Sequence, residues 1–121
     1  MGQSDRAVRF SNRIGWIAVL SGVLLSWGCS SDDASLSPLA QEGKRIYLNV
    51  CIACHNGNPN RDGSPGPATA GSSRELLEAR VIRGEYPPGY TPKRPTAAMP
   101  RMEFLADKID ALAAYLAEAQ E

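Results

Sequence analysis

Apolar positions recur at helical spacing in three segments. In residues 38–50, PLAQEGKRIYLNV, Leu39, Gly43, Ile46, Tyr47 and Val50 fall three and four apart, which is one face of a helix. Ser37 suits the N-cap of that helix and Pro38 its first turn. A glycine on an apolar helix face costs about 1 kcal/mol relative to alanine, so Gly43 predicts a close crossing by another element. Residues 73–83, SRELLEARVIR, predict a second, short helix. Ser72 with Glu75 three residues later reads as its capping box, Leu77 and Val81 share a face, and Gly84 suits the stop. Residues 107–119, DKIDALAAYLAEA, form the strongest pattern, with Ile109, Leu112, Tyr115 and Leu116 along one side. Asp107 and Asp110 favour the N-terminal end of that helix electrostatically.

The intervening runs NGNPNRDGSPGPATAG and EYPPGYTPKRPTAAMPRM are rich in proline and glycine and show no strand alternation. Loops of this length in a small domain are usually functional or disordered. Three helices joined in this way pack poorly on each other and suit a wrap around something apolar. No internal repeat is visible.

The N-terminus reads as an address. Residues 1–13 are polar and carry Arg6, Arg9 and Arg13, and residues 14–27, IGWIAVLSGVLLSW, are apolar. This is the layout of a secretory signal, and 14 residues fall short of the roughly 20 that span a bilayer. Gly28-Cys29 directly after the run resembles a bacterial lipoprotein processing site, which implies Cys29 as the first mature residue and the point of lipidation. The following SSDDASLSP has the small, polar composition of a tether. The expected organisation is therefore a signal over residues 1–28, a tether over 29–37 and a domain over 38–121. An uncleaved anchor, or a Cys29 discarded with the signal, are the competing readings. The domain is of a size at which a core alone is marginal and a cofactor helps.

Composition narrows the partners. The 121 residues argue for one domain, and 13 Lys plus Arg against 13 Asp plus Glu give no net charge. A nucleic-acid binder would show a basic excess. Loss of the N-terminal arginines leaves the remainder slightly acidic. Three cysteines, Cys29, Cys51 and Cys54, leave one without an intramolecular partner in an exported chain.

The only histidine, His55, stands directly behind two cysteines in CIACH, residues 51–55. Cys-x-x-Cys-His is the attachment signature of c-type haem. Two thiols add across the two vinyl groups, one helical turn sets both sulfurs along one porphyrin edge, and the next imidazole reaches the iron. A zinc site needs about four ligands, which the chain does not offer. A thioredoxin-type pair expects a preceding strand, where a helix is predicted. A Cys51–Cys54 disulfide leaves His55 without a role.

Iron held by one histidine has an open axial position, for which Met99 and Met102 remain once the initiator is set aside. At this point the chain resembles class I cytochrome c over about residues 38–119. The shared elements come in order: the helix with Gly43 and Tyr47, CIACH, GPATAG, the middle helix, the MP pair, and the last helix with AAYL. The resemblance implies an all-α cytochrome c-like fold, three main helices and long loops wrapped around one covalently attached haem c. It implies Met99 as distal ligand, with Met102 as the fallback, and the Pro67 carbonyl as acceptor of the second imidazole N–H. It also implies that Gly43 crosses near Tyr115, with Tyr47 packed on the same crossing. A soft thioether favours ferrous iron and raises the potential.

Arg80, Arg83, Lys93, Arg94 and Arg101 surround the methionine loop, as partners of the haem propionates, as a docking rim for an acidic partner, or as ordinary solvated surface. Tyr86 and Tyr90 either cover the haem or fill space. The expectation is an exported electron-transfer protein rather than an enzyme, lipid-anchored on the periplasmic side of a bacterial membrane. Its donor and acceptor are then membrane-bound or periplasmic redox proteins, with no nucleic acid. The alternatives are a haem subunit of a larger respiratory oxidoreductase and, if Met99 does not ligate, a haem protein that binds small ligands.

Overall fold

The Ser37 hydroxyl accepts from Ala40 N at 3.2 Å and Pro38 follows at the first position, so α1 begins where capping chemistry dictates and runs Pro38–Val50. The structure, a computed structural model, describes residues 35–95 and 98–120. The signal segment, Cys29 and the head of the tether lie outside the described residues. Ser37 already belongs to the packed unit: its N–H and hydroxyl donate to the Glu118 carboxylate at 2.8 and 2.6 Å.

The second helix, α2, covers Arg74–Leu77 and widens into a π-helical turn over Glu78–Arg83. A 3-10 turn, Glu103–Lys108, leads into α3, Ile109–Glu118. The fold is all-α, with no strand among the described residues.

The crossing of α1 and α3 is the centre of the fold. A Cβ on Gly43 would overlap the Ala111 carbonyl and come within 2.8 Å of Tyr115 Cβ, so only glycine permits the approach. Tyr47 packs on the same crossing, its ring 5.5 Å from that of Tyr115. Tyr47, Ile109, Leu112 and Leu116 are fully buried. Full burial of such side chains contributes about 1.5–3 kcal/mol each. Lys108 bridges to Glu42 across the pair at 3.2 Å.

Four local expectations change. Leu39 is 47% exposed and Ala40, at 0%, takes its place on the buried face. Both positions satisfy the periodicity, but the approach at Gly43 leaves room beside it only for a small side chain. The cap of α2 is Ser73, which accepts from Leu76 N at 3.1 Å. Ser72 is engaged one step earlier, its hydroxyl donating to Thr69 O at 2.6 Å. The segment read as one helix over 73–83 is only half α. In its wide turn the Val81 carbonyl accepts from Met102 N at 2.7 Å, while Glu85 N reaches back to Ala79 O at 3.0 Å. Gly84 closes the turn with φ of 74°, a conformation open to glycine without strain. Finally, the last helix starts at Ile109 rather than 107, and Asp107 lies in the 3-10 turn before it.

Candidate functional site

The last turn of α1 runs directly into a 3-10 turn over Cys51–Ala53. Cys54 N and His55 N both donate to Cys51 O, at 3.1 and 2.9 Å, which curls the motif into one compact loop. Neither cysteine is in a disulfide. Burial pushes the Cys51 thiol up to about 11, the opposite direction from the reactive thiolate of a dithiol redox pair. Among the described residues no group of three His, Cys, Asp or Glu could hold a metal ion, which removes the zinc reading there.

His55 Nδ1 lies 2.8 Å from Pro67 O. A carbonyl only accepts, so Nδ1 carries the proton and Nε2 is left as the basic nitrogen. A Cβ on Gly66 would stand 2.6 Å from that Nδ1, so the ring and the loop meet only because residue 66 is glycine. The loop between is not irregular in its bonding. Asn56 and Asn58 side chains accept from Asn58 N and Asn60 N, both at 2.9 Å, as successive Asx turns. Asp62 accepts from Ala68 N at 2.7 Å and pairs with Arg94 at 3.3 Å. The Ala68 N–H above all, with Arg94 beside it, holds the Asp62 carboxyl below its ordinary range.

Two lobes of one cavity, open to solvent, share Cys54, His55, Thr69, Leu77, Val81 and Met99 as walls. The inner lobe adds Cys51, Val50, Leu112 and Leu116, and the outer adds Pro67, Ser72 and the tyrosines. The structure thus brings Cys51, Cys54, His55, Pro67 and Met99 to one space. Met102 lines only the inner lobe.

The basic residues divide. Arg80, Lys93 and Arg94 line the outer lobe. Arg80 is buried, donates to Gly84 O at 2.8 Å and lies 5.0 Å from the centre of the Tyr86 ring. Tyr86 in turn stacks on Tyr90 at 5.4 Å. Lys93 donates to Ala68 O at 2.8 Å, and Arg94 to Ser64 O at 2.9 Å. Arg83 and Arg101 stay on the surface, paired with Glu78 and Glu103. Asn56, Thr69 and Asp62 join these residues through hydrogen bonds that their positions in the sequence do not disclose. Thr69 lines both lobes, and the asparagine spacing of NGNPN, which suits Asx turns, is the one sequence signal of the loop that carries Asn56 and Asp62.

The family model described as cytochrome c matches residues 40–120. The chain is also similar to the cytochrome bc1 complex cytochrome c subunits of Mycobacterium bovis and Mycobacterium tuberculosis. Each is 30% identical over 86 residues, covering 69% of this chain and 29% of the relative. The chain therefore spans less than a third of the length of these curated relatives. No solved structure gives a match. Since the family match extends over more than half of its length, the chain belongs to the cytochrome c family, and its cofactor is the covalently bound haem c of that family.

Proposed function

We propose that this protein is an exported electron carrier rather than an enzyme, with one haem bonded through Cys51 and Cys54 and held axially by His55 and Met99. Haem electron transfer follows from family membership; the residue roles are the reading that the geometry supports best. The observation that carries it is the His55 imidazole, fixed at Nδ1 by Pro67 O at 2.8 Å, on a cavity whose wall also includes Met99.

The residues fit the group. Two thiols are separated by one tight turn, one imidazole nitrogen is committed and the other free, and a thioether lines the same space. The inner lobe is apolar, while the outer carries Arg80, Lys93 and Arg94, a division suited to a flat apolar ring bearing two carboxylates. When bound, haem c supplies a one-electron Fe(II)/Fe(III) couple. The Pro67 bond holds the imidazole in one tautomer and makes it a stronger donor. The Met99 thioether, a soft ligand, favours the reduced state. Leu112, Leu116 and Val81 give the inner lobe an apolar wall. Ile52, 45% exposed between the two cysteines, offers a partner an apolar contact at the motif.

Met99→Ala is expected to remove the red-end ferric absorption of sulfur-ligated iron and to lower the potential, while Met102→Ala keeps both. An unchanged Met99→Ala spectrum refutes Met99 as ligand.

The same reading sets the domain on the periplasmic side of a bacterial membrane, held by lipid on Cys29, with membrane-bound or periplasmic redox proteins as donor and acceptor. Its support is the short apolar run ending at Gly28-Cys29. Palmitate label on the wild type and none on Cys29→Ala is expected; label kept by the variant excludes the anchor. A second reading, a haem subunit within a respiratory oxidoreductase, is favoured by the similarity to bc1-complex cytochrome c subunits. Co-purification in mild detergent with other haem-containing membrane subunits, rather than a lone carrier, is the outcome that selects it.

A further inference from the structure

Residues 54–56 and 66–69 run side by side. Gly66 N donates to Cys54 O at 2.9 Å. The next rung is His55 Nδ1 to Pro67 O at 2.8 Å. A third joins the residues beyond: Thr69 Oγ1 donates to the Tyr47 hydroxyl at 3.1 Å, and that hydroxyl donates to Asn56 O at 2.7 Å. One phenol oxygen thus links the residue after His55 to the loop two residues after Pro67. Tyr47 is 1% exposed and fixed by the α1–α3 crossing, against Tyr115. Burial raises its ionisation range, so it remains a donor.

The geometry points to Tyr47 as a positioning residue whose hydroxyl, with Thr69, holds the two segments of this ladder in register and so sets the strength of the His55–Pro67 hydrogen bond. Tyr47 lines the inner lobe, but its hydroxyl is committed to Thr69 and Asn56 and acts through His55, so the inference rests on His55 as an axial ligand. The gap between the 54–56 and 66–69 segments is closed on one side by backbone alone, through Gly66. On the other side no backbone bond bridges Asn56 to Thr69, and the phenol fills that space. The direction of the effect follows from the chemistry. An imidazole that donates from Nδ1 to a carbonyl is a stronger electron donor and stabilises the oxidised metal. A looser ladder weakens that bond and raises the potential.

The test uses the mature haem-bearing protein. Tyr47→Phe keeps the ring and its packing and removes only the hydroxyl; Thr69→Val removes the other half, and Thr69→Ser retains it. In Tyr47→Phe and Thr69→Val, the reduced-to-oxidised ratio at fixed ambient potential is expected to rise several-fold. The His55 Nδ1 proton, followed by NMR, is expected to exchange with solvent several-fold faster. Thr69→Ser matches the wild type. Variants that are less stable but keep the wild-type potential and proton exchange overturn the inference, since they show a merely structural tie. A lowered potential overturns it too, since it reports water entering the cavity. Should Tyr47→Phe fail to mature, Thr69→Val decides alone. If the wild type itself shows no iron-shifted His55 ring signal, the axial assignment fails, a result distinct from wild-type ligation with unmoved variants.

Discussion

At the α1–α3 crossing the chain holds itself. Gly43 lies against the Ala111 backbone, the rings of Tyr47 and Tyr115 meet at 5.5 Å, and Ile109, Leu112 and Leu116 leave no surface exposed beyond 2%. The opposite side, residues 56–73, 84–95 and 98–102, buries little. Phe104 just beyond it is 69% exposed and Tyr86 is 37% exposed. What binds this side are side chains capping backbone carbonyls: Arg94 to Ser64 O, Lys93 to Ala68 O, Arg80 to Gly84 O. Apolar contact is short-ranged but additive and gives the crossing its own stability. Scattered hydrogen bonds of this kind contribute about 1 kcal/mol each, too little to order two long loops against their chain entropy. The loop side therefore depends on the haem for its core, and the crossing does not.

The largest effect expected from this contrast comes from withholding haem. Protein matured without it should lose slow amide exchange throughout residues 56–73 and 84–95, while protection persists longest in α1 and α3. Uniform loss over both regions contradicts the division. Next in size is Gly43→Ala, which places a methyl against the Ala111 carbonyl and should cost about 2–3 kcal/mol in denaturant unfolding of the haem-bearing protein. A neutral result means that the helices can separate without penalty. The smallest effect is electrostatic and confined to the loop side. The Asp62 carboxyl is held below its ordinary value of 3.8, first by Ala68 N–H and then by Arg94. A depressed folded-state value stabilises above the unfolded value and is lost as pH falls through the folded one. Asp62→Asn keeps an acceptor for Ala68 N but not the charge. It should be slightly less stable than wild type at neutral pH, with the gap closing below about pH 4. A gap that persists in acid assigns the effect to packing instead.

The same contrast explains what the sequence discloses. The crossing is written in short-range signals: Ser37 and Pro38 at the start of α1, the costly Gly43, and the alanine-rich α3. The motif CIACH, the Gly66-Pro67 pair and Met99-Pro100 are equally local, and the structure gathers them on one cavity. The wide turn at Glu78–Arg83 is not legible, because EARVIR holds no glycine or proline. Its geometry goes with bonds to distant partners, Met102 N to Val81 O above all. The Tyr47–Thr69–Asn56 link escapes for the same reason, since 22 positions separate the two hydroxyls. Leu39 misleads because periodicity alone cannot tell a leucine from an alanine beside a tight crossing.

The central claim is that a covalently held haem completes this fold. Proteolytic mapping of the matured protein by mass spectrometry tests it most directly. The peptide that contains Cys51 and Cys54 should be heavier by one haem, in a single copy, and should keep its colour in acidified organic solvent. Recovery of that peptide at its unmodified mass, with the pigment extracted or absent, would contradict the account.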